Sequence, residues 1–186
     1  MIELIFDTNC YKILSFFAIH EGAAFRRNEI KEKTRLNNVP LDKALNKLAL
    51  SHTLSIDHGT YRLNEASKQI KRAAKITLRQ YQALNDLPFD GYLLLIDVVE
   101  ALSQVKGLEL YLRDDPSKTK YQKSGIEITI VTPKGVDMGL LSGSIKKLTG
   151  KYRKQVEIHD FLTADLQKRL ADPKIKEMID GSIKII

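Results

Sequence analysis

Two groups of residues in this chain of 186 have types and spacings that could do chemistry. The first is acidic. Asp114 and Asp115 close the alternating run LELYLRDD, and Glu127 lies within a second such run, GIEITIVTP. Carboxylates gathered at the ends of neighbouring strands can hold divalent cations, the centre on which metal-assisted phosphoryl transfer depends. RDDPSK also reads as a polar loop in which an aspartate starts a turn before Pro116. The second group is basic. Residues 66–86 hold five Lys/Arg (Lys68, Lys71, Arg72, Lys75 and Arg79) against one acid, and so carry +4 of the chain's net +7. Charge concentrated in so short a segment suits contact with a polyanion such as nucleic acid.

Other chemistries find little support. Cys10 is the only cysteine, which excludes an intrachain disulfide and a cysteine-based zinc site and fits a reducing compartment. The four histidines, His20, His52, His58 and His159, show no ligand spacing, and no Cys/His nucleophile arrangement is present. TPKG and SGSIKKLTGK do not match a phosphate-binding loop. The longest apolar run, YLLLIDVV, is too short to span a bilayer and carries Asp97. No basic leader opens the chain, so the expectation is a cytoplasmic protein without membrane contact or cofactor.

The elements that position these residues begin with a helix in DTNCYKILSFFAIHEG, capped by Asp7 or Thr8, with Tyr11, Ile13, Leu14, Phe17 and Ala18 at helical spacing. RRNEIKEKTRL predicts a second helix facing inward through Ile30. NNVPLDKALNKLALSHTL predicts a third, with Leu41, Leu45 and Leu48 inward and Asn38 as its cap. LSIDHGTYRLN reads as a hairpin. Three helices followed by a hairpin, across residues 8–64, resemble the winged helix-turn-helix family. That resemblance implies a recognition helix over Val39–Leu50 and a wing over Ser55–Leu63. Asn38, Lys43, Asn46 and Lys47 on the outward side of that helix could reach bases or phosphates, with Asp42 opposing the phosphate field. Arg26, Arg27 and Lys31 before it, and His58 and Arg62 on the wing, could anchor phosphates. Lys68, Arg72, Lys75 and Arg79 extend the contact along an amphipathic helix, EASKQIKRAAKITLRQYQAL, whose other side carries Ile70, Ala74, Thr77, Leu78, Tyr81 and Leu84.

The last hundred residues alternate helix, strand, strand, helix, strand and helices, a mixed arrangement around a small sheet. Their order, and the pairing within LELYLRDDPSKTKYQKSGIEITIVTP, resemble the minimal nucleotidyltransferase domain. The ending VEIHDFLTADLQKRLADPKIKEMIDGSIKI is similar to the tail of archaeal members fused to a winged helix. In that family a Gly-Ser pair binds the triphosphate and aspartates on the next strand hold two metal ions. At matching spacing the Gly-Ser pair falls on Arg113 and Asp114, the aspartates on Gly125 and Glu127, and a third carboxylate on Glu157. The resemblance therefore implies a degenerate site and no catalysis.

The sequence thus predicts an α+β protein. Residues 1–65 form a winged helix-turn-helix, 66–86 a basic connecting helix, and 87–186 a small mixed-sheet nucleotidyltransferase-like domain. The expected role is a dimeric regulator of transcription on double-stranded DNA, its second domain serving dimerisation or binding a nucleotide effector or protein partner. Lys146, Lys147, Lys151 and Arg153 near that domain are further phosphate-contact candidates. Two alternatives stay open: a divergent metal-dependent nucleotidyltransferase using Asp114, Asp115, Glu127 and Glu157, and a partner-binding module of the toxin–antitoxin kind.

Overall fold

The computed structural model describes residues 7–84, 87–114 and 126–186. Among them lie eight helices and two small sheets, a mixed α+β composition, and no helix there is long and apolar enough to cross a membrane. Two compact units divide between Leu93 and Leu94. The first contains α1 (Thr8–Ile19), β1 (Ala24–Arg26), α2 (Arg27–Thr34), α3 (Asn38–Leu50), β2 (Leu54–Asp57), β3 (Thr60–Leu63) and α4 (Lys68–Gln82). The boundary falls within α5 (Phe89–Leu102). The second unit continues with β4 (Glu109–Asp114), β5 (Ile126–Thr132), α6 (Met138–Tyr152), β6 (Val156–Leu162), α7 (Thr163–Arg169), α8 (Pro173–Asp180) and β7 (Ile183–Lys184).

The first unit is built around α1. Asp7 caps it by accepting the Cys10 N–H at 3.1 Å. Ten of its twelve residues are buried, including Lys12 and Ser15, so it is not the one-sided helix that the apolar spacing predicts. The cause is enclosure: α2, α3, α4 and β3 all pack on it, and a helix wrapped on every side buries its polar positions too. Cys10, Ile13, Leu14, Phe16 and Phe17 meet Ile30, Leu41, Leu45, Leu48, Leu54 and Ala74 in one core. The Tyr11 hydroxyl bonds to Gln80 on α4 and lies 3.0 Å from the Tyr92 hydroxyl.

The hairpin expected over LSIDHGTYRLN forms, as β2 and β3, and acquires a third strand. β1 pairs antiparallel with β3, giving the order β1-β3-β2. Three residues are too few to show alternation, which is why AFR did not read as a strand. At the hairpin tip His58 and Gly59 have φ of 44° and 77°, the two positive values a tight two-residue turn between twisted strands requires. The cap of α3 is Asn37, not Asn38, which is the first helical residue. The basic segment forms α4, capped by Ser67 and buried at Ala74 and Thr77.

In the second unit the strand order is β6-β5-β4-β7. β5 runs parallel to β6 and antiparallel to β4, and α6 makes the crossover that a parallel pair needs. GIEITIVTP reads as an alternating run with Ile126, Ile128 and Ile130 on one side, yet every residue of β5 is buried, so both faces are covered. β7 is another strand too short to read from sequence; it pairs with Tyr111 and Leu112 of β4. Asp97 on α5 is buried and accepts hydrogen bonds from the Tyr152 hydroxyl at 2.6 Å and Lys151 Nζ at 2.9 Å, which fixes the end of α6.

Replacing Tyr152 by phenylalanine removes one donor from a buried carboxylate. The expected result is a loss of about 1–3 kcal/mol, read as a lower urea midpoint; an unchanged midpoint contradicts this role for the hydroxyl.

Candidate functional site

α3 presents its sequence in two registers. Leu41, Ala44, Leu45 and Leu48 point inward and are buried, which turns Asn38, Val39, Asp42, Lys43, Asn46, Lys47 and Leu50 to the exposed side. Three of these are tied down. Arg27, the first residue of α2, grips Asp42 with a two-pronged ion pair, Nε to Oδ1 at 2.6 Å and Nη2 to Oδ2 at 2.9 Å. Its Nη2 also donates to Asn38 Oδ1 at 3.4 Å. Lys47 donates to Asp7 Oδ2 at 2.6 Å. Asp42 was expected to repel phosphates; the Arg27 guanidinium neutralises it and locks α2 to α3. Among the described residues Lys43 and Asn46 make no side-chain hydrogen bond or ion pair, and they stand in the middle of the exposed row.

Most of the flanking candidates are exposed as well. Arg26 ends β1, and its backbone N–H is held by Glu29 Oε2 at 2.6 Å. Lys31 is half-buried on α2. His58 stands at the hairpin tip with its side chain 95% exposed, 3.5 Å from Asp57 Oδ1, and Arg62 is exposed on β3. On α4, Lys68, Lys71, Arg72, Lys75 and Arg79 are all exposed, and no ion pair involves them among the described residues. Five cations at i, i+3, i+4, i+7 and i+11 form a single stripe. Val39, 65% exposed at the start of α3, is a contact candidate that the sequence reading passed over. In the second unit Lys151 is bound to Asp97, whereas Lys146, Lys147 and Arg153 are exposed.

The acidic positions of the second unit meet in a row across three strands. In register, Arg113 on β4 lies opposite Glu127 on β5, and Glu127 lies beside Glu157 on β6. One step along, Tyr111, Thr129 and His159 form the next row on the same face, and the Thr129 hydroxyl lies 3.9 Å from Met178 Sδ of α8. Glu127 is 5% exposed, whereas Glu157 is exposed. Ligand atoms of Glu127, Glu157 and His159 all lie within 4.8 Å of one another. The sequence reading gave His159 no ligand spacing, and the structure corrects that: Glu157 and His159 are two apart on a strand and therefore share a face, a signal that the text EIH already carried. Asp114 ends β4 in register with Ile126. Its side chain, Asp115 and Gly125 lie outside the described residues. Cys10 is no nucleophile, because burial pushes its thiol up to about 12.

Comparison with known protein families, with curated proteins and with solved structures finds no match to this chain.

The ion pairs around α3 set an acid limit on the first unit. The hydrogen bond from Arg27 holds the Asp42 carboxyl below its ordinary value of 3.8. Burial pushes Asp7 upward, but Lys47 and the Cys10 amide outweigh it and leave Asp7 below 3.8 as well. A depressed carboxylate binds fewer protons folded than unfolded, so its stabilisation is present above 3.8 and is lost as pH falls through the folded value. Thermal unfolding followed from neutral pH into this range is expected to show a falling midpoint, with a shallower fall in Asp7→Asn. Parallel curves for the two proteins contradict the assignment.

Proposed function

We propose that this protein binds double-stranded DNA through its first unit and acts as a transcriptional regulator, in the manner of a winged helix-turn-helix. The observation that carries the reading is the outward row of α3. Its inner side is locked in the core and its neighbours are fixed by Arg27–Asp42 and Lys47–Asp7, while Lys43 and Asn46 in the middle of the row are unengaged. Recognition helices of this class lay such a row in the major groove, where asparagine matches adenine, lysine matches guanine, and an apolar side chain such as Val39 suits a thymine methyl. The hairpin with His58 and Arg62 takes the place of the wing, and the α4 stripe supplies sequence-independent phosphate contacts. The surface ion pairs of Arg27 and Lys47 are weak in water, so either cation can exchange its carboxylate for a phosphate.

The second unit then serves assembly or effector binding. A homodimer suits paired half-sites. The nucleotidyltransferase-like reading of its sheet is supported by the placement of Arg113, Glu127 and Glu157 in one row, at the positions matched to the phosphate pair and two of the carboxylates. Arginine in place of glycine at that position, here on β4, removes the close approach of backbone to phosphate, and this favours binding over catalysis.

The test is fluorescence anisotropy with duplex DNA from upstream of the protein's own gene, against a scrambled duplex, at two salt concentrations. Preference for the upstream duplex is expected to persist at the higher salt. Lys43→Ala or Asn46→Ala is expected to narrow that preference about tenfold, whereas Arg72→Ala weakens both duplexes alike and lowers the salt slope by about one. Equal, weak binding to both duplexes overturns the regulator reading.

A further inference from the structure

We propose that Glu127, Glu157 and His159 form a binding site for a single divalent transition-metal ion of the zinc class. The argument starts with placement. Parallel pairing of β5 and β6 sets Glu127 beside Glu157 and Thr129 beside His159, so all three ligand residues project from one face of two adjacent strands. Strands hold such groups more exactly than loops do. Glu127 is buried in the centre of the sheet, and its position is fixed from both sides. Glu157 is exposed and His159 partly so, which leaves the cluster open to solvent for an ion to enter.

The spacing fits one ion. Ligand atoms each about 2.1 Å from a tetrahedral metal stand roughly 3.4 Å from one another. His159 Nε2 and Glu157 Oε1 are 3.4 Å apart, and no pair in the set exceeds 4.8 Å. Three protein ligands also leave a fourth position for water or a ligand atom, the pattern of open rather than purely structural sites.

The donor set selects the metal. Two carboxylates alone suit magnesium, calcium or manganese, but an imidazole nitrogen shifts preference towards zinc and the later transition metals. Among the described residues, Glu127, Glu157 and His159 give one ion three ligands. The chemistry differs accordingly from the paired hard cations of phosphoryl transfer. Arg113, opposite Glu127, also lines an open cleft of about 520 Å³ with Lys176, Glu177, Asp180 and Gly181.

The experiment uses the full chain, stripped with chelator and titrated calorimetrically with zinc, manganese and magnesium chlorides. Zinc is expected to bind at one equivalent, at least a hundredfold more tightly than magnesium. His159→Ala and Glu157→Gln are each expected to weaken zinc binding tenfold or more, as is Glu127→Gln. Unfolding midpoints of the metal-free variants identify any that fail to fold. Glu157 and His159, being less buried, keep the test valid if Glu127→Gln does not fold. The proposal is overturned if wild-type protein takes up no zinc at one equivalent, if magnesium binds as tightly, or if zinc binding survives unchanged in the folded variants.

Discussion

Enclosure of α1 is the constraint on which the first unit depends. A helix that buries Tyr11, Phe16 and Phe17 together with Lys12 and Ser15 cannot shift or rotate without exposing apolar surface on one side and stranding polar groups on another. α2, α3 and α4 each take their orientation from it. Because α3 must give Leu41, Leu45 and Leu48 to this core, its other side has no freedom in where it points. Capping reinforces the same relation: Asp7 closes the start of α1 and also receives Lys47 of α3, so one carboxylate links helix end, the exposed row of α3 and the core.

The second unit obeys a different rule. β5 is buried on both faces, so its polar residues are placed by strand pairing and not by exposure. Register alone brings Arg113, Glu127 and Glu157 into line, and register alone sets His159 one step away. A one-residue slip between β5 and β6 would move Glu157 and His159 to the opposite face and disperse the cluster. The buried Asp97, held by Tyr152 and Lys151, fixes the helix that connects these two strands and so contributes to keeping that register.

Long elements with strong periodicity were legible in the sequence: α1, α3, α4 and the alternating runs of β4 and β5 all form within the stretches that the pattern marks, with helix ends up to four residues inside them. Short strands were not. β1 and β7 have three and two residues, and they exist because a longer neighbour offers unpaired backbone groups. The outward residues of α3 could be picked out from helical spacing, but the ion pairs could not. Arg27 and Asp42 are fifteen positions apart and Asp7 and Lys47 forty, separations that only the packed helices bring together. The grouping of Glu127 with Glu157 and His159 was not legible, because it is completed across strands.

The most direct test of the account is to map the DNA contact on the protein itself. Amide and side-chain NMR shifts of isotopically labelled protein, followed through titration with its upstream duplex, report which surface meets the nucleic acid. The account predicts perturbations concentrated on Val39, Lys43 and Asn46 of α3, at the His58–Gly59 hairpin tip, and along Lys68–Arg79 of α4. The inward residues Leu41, Leu45 and Leu48 should move little. Shifts that avoid α3 and cluster in the second unit, or that never saturate with any duplex, would contradict it.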